Sequence, residues 1–268
     1  MMNSIFQRLF SLHGKAALIT GASGGIGSAL TAAFSEAGAT VALNGLTLEK
    51  LETAKRKIDA AGGSAVILRQ DIQTVEGCRE LIASAQAKLG RLDILVNCAG
   101  VNRRKPISQI TEDDYDTITQ INLRSVFFLC QTAHQVMQQQ GGGKIINIGS
   151  VTSTDGLGGV SVYGITKSGV AQLTKTMALE WAKDNIQVNC LAPGFIMTQL
   201  TETGLWGDPH RKQWLTERIP AARPGKPEEL VGAALLLASN ASSYITGQIL
   251  NVDGGYLAGG SWLREGEL

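Results

Sequence analysis

The chain has 268 residues, 44% of them hydrophobic, enough to bury a core as one compact domain without a disulfide or structural metal. Its 24 basic and 23 acidic side chains leave a formal charge of +1, so the basic footprint of a nucleic-acid binder is missing. The longest apolar runs, such as Val126–Cys130 and Val231–Ala238, fall far short of the ~20 residues that a membrane-spanning helix needs.

In chain order, Met1–Leu12 is interrupted by Gln7 and Arg8 and lacks a small-residue cleavage site, which makes a poor signal peptide. Short apolar runs then predict seven strands buried on both faces: Ala16–Thr20, Thr40–Asn44, Ala65–Arg69, Leu92–Asn97, Lys144–Ile148, Gln187–Leu191 and Gln248–Val252. Helical periodicity fills the intervals at Ser28–Ala37, Leu48–Ala61, Glu76–Leu89, Asp113–Gln139, Val162–Lys183 and Glu228–Ala238. Such alternation implies parallel β-α-β units, and the expected fold is α/β, a Rossmann-type doubly wound parallel sheet of seven strands in a single domain. Asp114–Gln140 is long for one helix, and Phe127 and Phe128 point to a face packed against something large, such as another subunit. Five of the six prolines follow position 192, which marks residues 193–226 as one long irregular insertion of the lid or binding-loop kind. Residues 12–192 then form the cofactor-binding and catalytic core, and 227–268 a closing helix, strand and tail. Cys78, Cys98, Cys130 and Cys190 stand singly and read as reduced core thiols of a cytoplasmic protein.

The first predicted strand runs into Thr20-Gly21-Ala22-Ser23-Gly24-Gly25-Ile26-Gly27 and then a helix. Glycines at a strand-to-helix turn allow positive φ and close approach, and a helix N-terminus offers free N–H groups to a pyrophosphate, so Gly21, Ser23, Gly25, Ile26 and Gly27 are assigned to a dinucleotide. The ribose anchor is expected about 20 residues further on, where the chain reads Asn44-Gly45-Leu46. Gly45 and Leu46 supply neither a carboxylate for a 2′-hydroxyl nor an arginine for a 2′-phosphate. NAD and NADP both stay open, with a slight lean to NAD. Asp71, followed by Ile72, suits the adenine edge or equally the N-cap of the Gln73–Leu89 helix.

Tyr163 and Lys167 are one helical turn apart on one face. A tyrosine hydroxyl is a poor base at neutral pH, and a neighbouring ammonium favours its phenolate. Ser150 follows the fifth strand at its C-terminal end, where open α/β sheets bind ligands; it fits either a substrate-carbonyl holder or a turn cap. His13, His134 and His210 lack ligand spacing, and no metal is expected in the chemistry.

Taken together, Thr20-Gly21-(x)3-Gly25-Ile26-Gly27, Asn97-Cys98-Ala99-Gly100, Asn122, Ser150, Tyr163 with Lys167, and Pro193-Gly194 resemble the short-chain dehydrogenase/reductases from Leu12 to Gly255. That resemblance implies Tyr163 as general acid/base, Lys167 as ribose ligand, Ser150 as carbonyl orienter and Asn122 as holder of a relay water. It also implies Asn97, Ala99 and Gly100 on the adenosine side, Pro193, Gly194, Ile196 and Thr198 at the nicotinamide, and a homotetramer. Cys98 stands where the family usually carries a second asparagine.

Arg103 and Arg104 follow the Asn97–Gly100 turn and could fork onto a substrate carboxylate, or form a charge pair. Thr152 and Trp206 complete the substrate-facing candidates. A narrower resemblance, in Val101–Arg104, Asn147–Val151 and Trp214–Arg223, is to gluconate-type sugar-acid dehydrogenases of the same family. It implies alcohol/ketone interconversion on a sugar acid or polyol, a small-molecule partner. Two alternatives stand beside it: a 3-oxoacyl-carrier or general carbonyl reductase using Leu157, Val160 and Leu205, and a non-catalytic nucleotide-sensing protein.

Overall fold

The computed structural model describes residues 4–260. A short helix α1 (Ile5–Phe10), capped by Ser4, precedes β1 (Ala16–Ile19) and α2 (Gly25–Glu36). There follow β2 (Thr40–Gly45), α3 (Leu48–Ala60), β3 (Ser64–Arg69), α4 (Val75–Leu89) and β4 (Ile94–Asn97). The second half adds α5 (Glu112–Thr119), α6 (Ser125–Gln139), β5 (Gly143–Ile148), α7 (Ser161–Trp181) and β6 (Ile186–Pro193). It closes with α8 (Gln199–Thr201), α9 (Pro209–Arg218), α10 (Val231–Ala238) and β7 (Ile249–Val252).

All seven strands pair in parallel, in the order β3-β2-β1-β4-β5-β6-β7. Chain order reverses between β1 and β4, and at such a switch point the loops after neighbouring strands diverge and open a crevice. Alternate residues feed the two layers. Ala17 and Ile19 of β1 pack with Leu30 and Phe34 of α2 and Leu237 of α10, whereas Leu18 packs with Leu81 of α4, Leu129 of α6 and Met177 of α7. Burial on both faces holds for β1, β4 and β6 but not for the edge strands β3 and β7, each of which has a neighbour on one side only.

Three further expectations are corrected. The Asp113–Gln139 stretch is not one regular helix: α5 and α6 are joined by a π-helical turn, Gln120–Arg124, which carries Asn122. Wider turns of this kind reset the phase of a helix and recur at functional sites. The 193–226 segment is not irregular throughout, because it holds α8, a π-turn and the ten-residue α9. Asp208 accepting from the Arg211 amide and Pro209 in the first turn are start signals that could have revealed α9. Thr74, not Asp71, caps α4, accepting from the Gly77 amide. Of the two phenylalanines singled out from the sequence, Phe127 is exposed on α6, while Phe128 packs against the core.

Asp93 ties the bottom of the sheet together. Burial opposes its charge, but the Arg91 guanidinium, the Ala16 amide and Lys15 outweigh that and hold its carboxyl below the usual range. A depressed folded-state pKa contributes stability that is fully present above the unfolded value near 4 and is lost as pH falls through the folded one. Asp93→Asn is therefore expected to lower the urea midpoint at pH 7 and to shrink the difference between midpoints at pH 7 and pH 3. An unchanged difference would contradict this reading.

Candidate active site

The phosphate turn is built from backbone that side chains would obstruct. Gly21 has φ +65°, and a Cβ there would stand 2.9 Å from the Ala99 Cα. A Cβ on Gly27 would penetrate the Gly21 carbonyl oxygen, and one on Gly25 would come within 2.7 Å of the Thr198 Cγ2. Gly24 caps α2 with no side chain, so the first-turn amides remain available to an anion. These cavities at glycine and the uncapped amides fit a dinucleotide pyrophosphate, with Thr198 facing the turn from the far side. The Thr20 hydroxyl accepts from the amides of Cys98 (3.0 Å) and Ala99 (3.1 Å), binding the β4 loop to the β1 loop; it is a site residue that the motif reading passed over.

Along the adenosine side, Ser23 lies against Gly45, Leu46 is exposed and Ile72 is buried. The exposed Asp71 carboxylate accepts from the Gln73 amide at 2.9 Å. Asn97 turns its amide into the layer beneath the sheet, donating to Asn147 Oδ1 at 2.8 Å, and Asn147 donates in turn to Thr174. On the opposite side Pro193 ends β6, Gly194 passes so close to Asp253 that no side chain fits, and buried Ile196 bridges to Gly225.

Four predicted catalytic residues come from three elements. Lys167, buried in α7, donates from Nζ to the Ile148 carbonyl at 2.6 Å, and Nζ lies 5.5 Å from the centre of the Tyr163 ring. Gly100 approaches from the β4 loop, where an added Cβ would be 3.8 Å from that Nζ. Ser150, buried at the end of β5, is indeed a cap, accepting from the Thr152 amide at 3.1 Å, yet its hydroxyl proton is left free by that bond. The fully buried Asn122 donates to the Val101 carbonyl and accepts from the Val101 amide, both at 2.8 Å, and reaches Thr166 at 3.4 Å. Its carboxamide thus replaces a missing strand partner and clamps the β4 loop to α7.

The two arginines separate. Arg103 pairs with Asp113 and, at 3.1 Å, with Asp114, whose carboxyl is held well below its usual range chiefly by Lys105. Arg104 is exposed, has no carboxylate partner among the described residues, and lies beside Gly204 of the insertion. Trp206 is buried with Leu215 and Ile219, and its indole N–H has no partner, nor has the Thr152 hydroxyl. Tyr256 donates to Asp155 at 2.9 Å and meets Phe195 edge to face, joining the insertion to the Ser150 loop. Leu157 and Val160 line a separate cleft with Ile107, Thr152 and Ile165, whereas Leu205 packs with Trp206. Burial pushes the Cys98 thiol up to about 11, so it stands neutral beside Lys167. Of the histidines, His134 stacks on Trp181 and bonds Asp184. Among the described residues, no group of three His, Cys, Asp or Glu side chains could hold a metal, and no helix is long and apolar enough to cross a membrane.

A doubly wound sheet with a glycine phosphate turn at its switch point, and a tyrosine, lysine and serine beside it, defines a nucleotide-dependent oxidoreductase. The chain belongs to the short-chain dehydrogenase/reductase family: residues 21–257 match the family model described as enoyl-(acyl carrier protein) reductase. It is 42% identical over 247 residues to gluconate 5-dehydrogenase of Gluconobacter oxydans, covering 92% of this chain and 96% of that one. The solved gluconate 5-dehydrogenase of Burkholderia cenocepacia, in complex with NADP and tartrate, superposes with a TM-score of 0.91 at 40% identity, covering 94% of this chain and 99% of that one. A 3-oxoacyl-(acyl-carrier-protein) reductase of Thermotoga maritima is 38% identical over 245 residues, covering 91% and 98%.

Proposed function

We propose that this NAD(P)-dependent oxidoreductase interconverts a secondary alcohol and a ketone on a sugar acid, in the manner of a gluconate 5-dehydrogenase. Arg104 carries this reading: a guanidinium with no carboxylate partner among the described residues, exposed between the β4 loop and the insertion, suits the carboxylate of a small hydroxy acid.

A bound nicotinamide supplies or accepts the hydride. Ser150 donates to the substrate oxygen, and Tyr163 gives that oxygen its proton in reduction or removes it in oxidation. Lys167 keeps an ammonium beside the tyrosine, positioned by the Ile148 carbonyl. Asn122, with its carboxamide engaged by Val101, acts as a positioning residue for the loop and the helix.

The acyl-reductase alternative has less support, since the cleft lined by Leu157 and Val160 does not include Ser150, Tyr163 or Lys167 in its lining. Absorbance of reduced nicotinamide separates the readings: turnover is expected with D-gluconate or 5-keto-D-gluconate and not with an acetoacetyl thioester. The reverse pattern would replace the sugar-acid assignment with the acyl one.

A further inference from the structure

The end of β2 offers no side chain to distinguish a ribose 2′-hydroxyl from a 2′-phosphate, because Asn44 is turned inward and Gly45 has none. The Asn44 amide donates to the carbonyls of Leu68 and Gln70, both at 3.0 Å, and is consumed in holding β3. That same strand pairing delivers a charge from elsewhere. In the parallel register Gly45 stands opposite Arg69, the last residue of β3. Arg69 reaches across and donates from Nε to the Leu46 carbonyl at 3.0 Å. The guanidinium is exposed, and its two terminal nitrogens have no protein partner among the described residues. Glu49, in the first turn of α3, is the acidic residue next along this turn, and it forms no ion pair with Arg69.

We propose that Arg69, supplied by the neighbouring strand, recognises the 2′-phosphate of NADP and makes this chain prefer NADP over NAD. The proposal rests on the reading of the glycine turn as a dinucleotide site. An arginine presents five donors in a planar fork; here the Nε donor fixes the fork to the backbone of the turn, and the outer nitrogens are left for phosphate oxygens. Anchoring by Leu46 reduces the side-chain freedom that binding would otherwise remove. A carboxylate that would repel a 2′-phosphate is absent from Asn44-Gly45-Leu46.

The test uses adenosine 2′,5′-bisphosphate and adenosine 5′-monophosphate as probes, titrated calorimetrically into the whole chain, so that neither substrate nor turnover enters. The wild type is expected to bind the bisphosphate about tenfold or more tightly than the monophosphate, the scale of a charge-assisted contact. Arg69→Ala should remove most of that preference with little change for the monophosphate, and Arg69→Lys should retain part of it. Equal weakening of both probes in Arg69→Ala would mean that the guanidinium only shapes the turn, and would overturn the proposal. So would a wild type that binds the two alike. Binding of neither probe by the wild type would overturn the nucleotide reading as well, whereas preserved discrimination with no activity on sugar acids would leave this proposal standing and remove only the substrate assignment. Thermal melts of each variant control for folding, and should Arg69→Ala unfold, Arg69→Gln keeps a polar stem at the strand end for the same titration.

Discussion

Tyr163→Phe is expected to lower kcat about 10²- to 10⁴-fold, the range of a single positioned acid–base group, while the dinucleotide still binds. The substitution removes one oxygen and keeps the ring that packs at the start of α7 near Lys167 Nζ. Stability should hence be nearly unchanged, and a thermal melt provides the control. Steady-state turnover with fluorescence titration of the reduced cofactor measures both sides. A variant that retained activity within a few-fold of wild type would remove Tyr163 from the chemistry and return Ser150 or an ordered water as the proton donor. Loss of cofactor binding together with turnover would instead give the hydroxyl a binding role. The distinction matters because Lys167 spends one of its three ammonium donors on the Ile148 carbonyl, which holds it beside the tyrosine and leaves two donors for a ligand.

Gly27→Ala is expected to cost about 1–3 kcal/mol or more of stability and to abolish measurable dinucleotide binding, because the added methyl has no place to go. It would run into the Gly21 carbonyl, and that oxygen also accepts the Gly24 amide at 3.0 Å, so relief requires the phosphate turn to open. No side-chain rotation can help, since both groups are backbone. Gly24→Ala provides the contrast: its Cβ would stand 3.4 Å from the same oxygen, at φ −79°, and is expected to be tolerated with a small change in affinity. Urea melts and nucleotide titration of the two variants test the ordering. Equal tolerance of both would show that the turn is plastic and that glycine is not required for the close approach at residue 27.

The readings that came directly from residue order are those whose physics is local. Seven apolar runs became seven strands because Val, Ile, Leu and Ala mark strands without help from neighbours; burial on both faces holds for the inner β1, β4 and β6, whereas the edge strands β3 and β7 are only partly buried. The glycine turn was legible for the same reason, since the glycines and the helix after them are properties of a few consecutive residues, although the helix begins at Gly25 rather than at Ser28. Helical spacing alone put Tyr163 and Lys167 one turn apart on one face, whereas their roles come from the family resemblance. The insertion was less legible, since Pro209–Arg218 is mostly polar and presents Leu215 as its buried residue, too little for a periodic signal. The π-turn at Asn122 was hidden because its carboxamide bonds Val101, 21 residues earlier in the chain, a contact that local spacing does not show.

Sequence by itself thus determined the fold class and the family resemblance, and it supplied the residues proposed for the candidate active site. Tertiary structure alone decided which of two adjacent arginines is free: Asp113 and Asp114 hold Arg103, while Arg104 faces the insertion. It also placed Arg69 beside Leu46, although 23 residues separate them in the chain. The physical reason is common to both. A side chain's charge is legible in the sequence, but its partner is set by strand register and loop packing, which bring together residues that no local spacing relates.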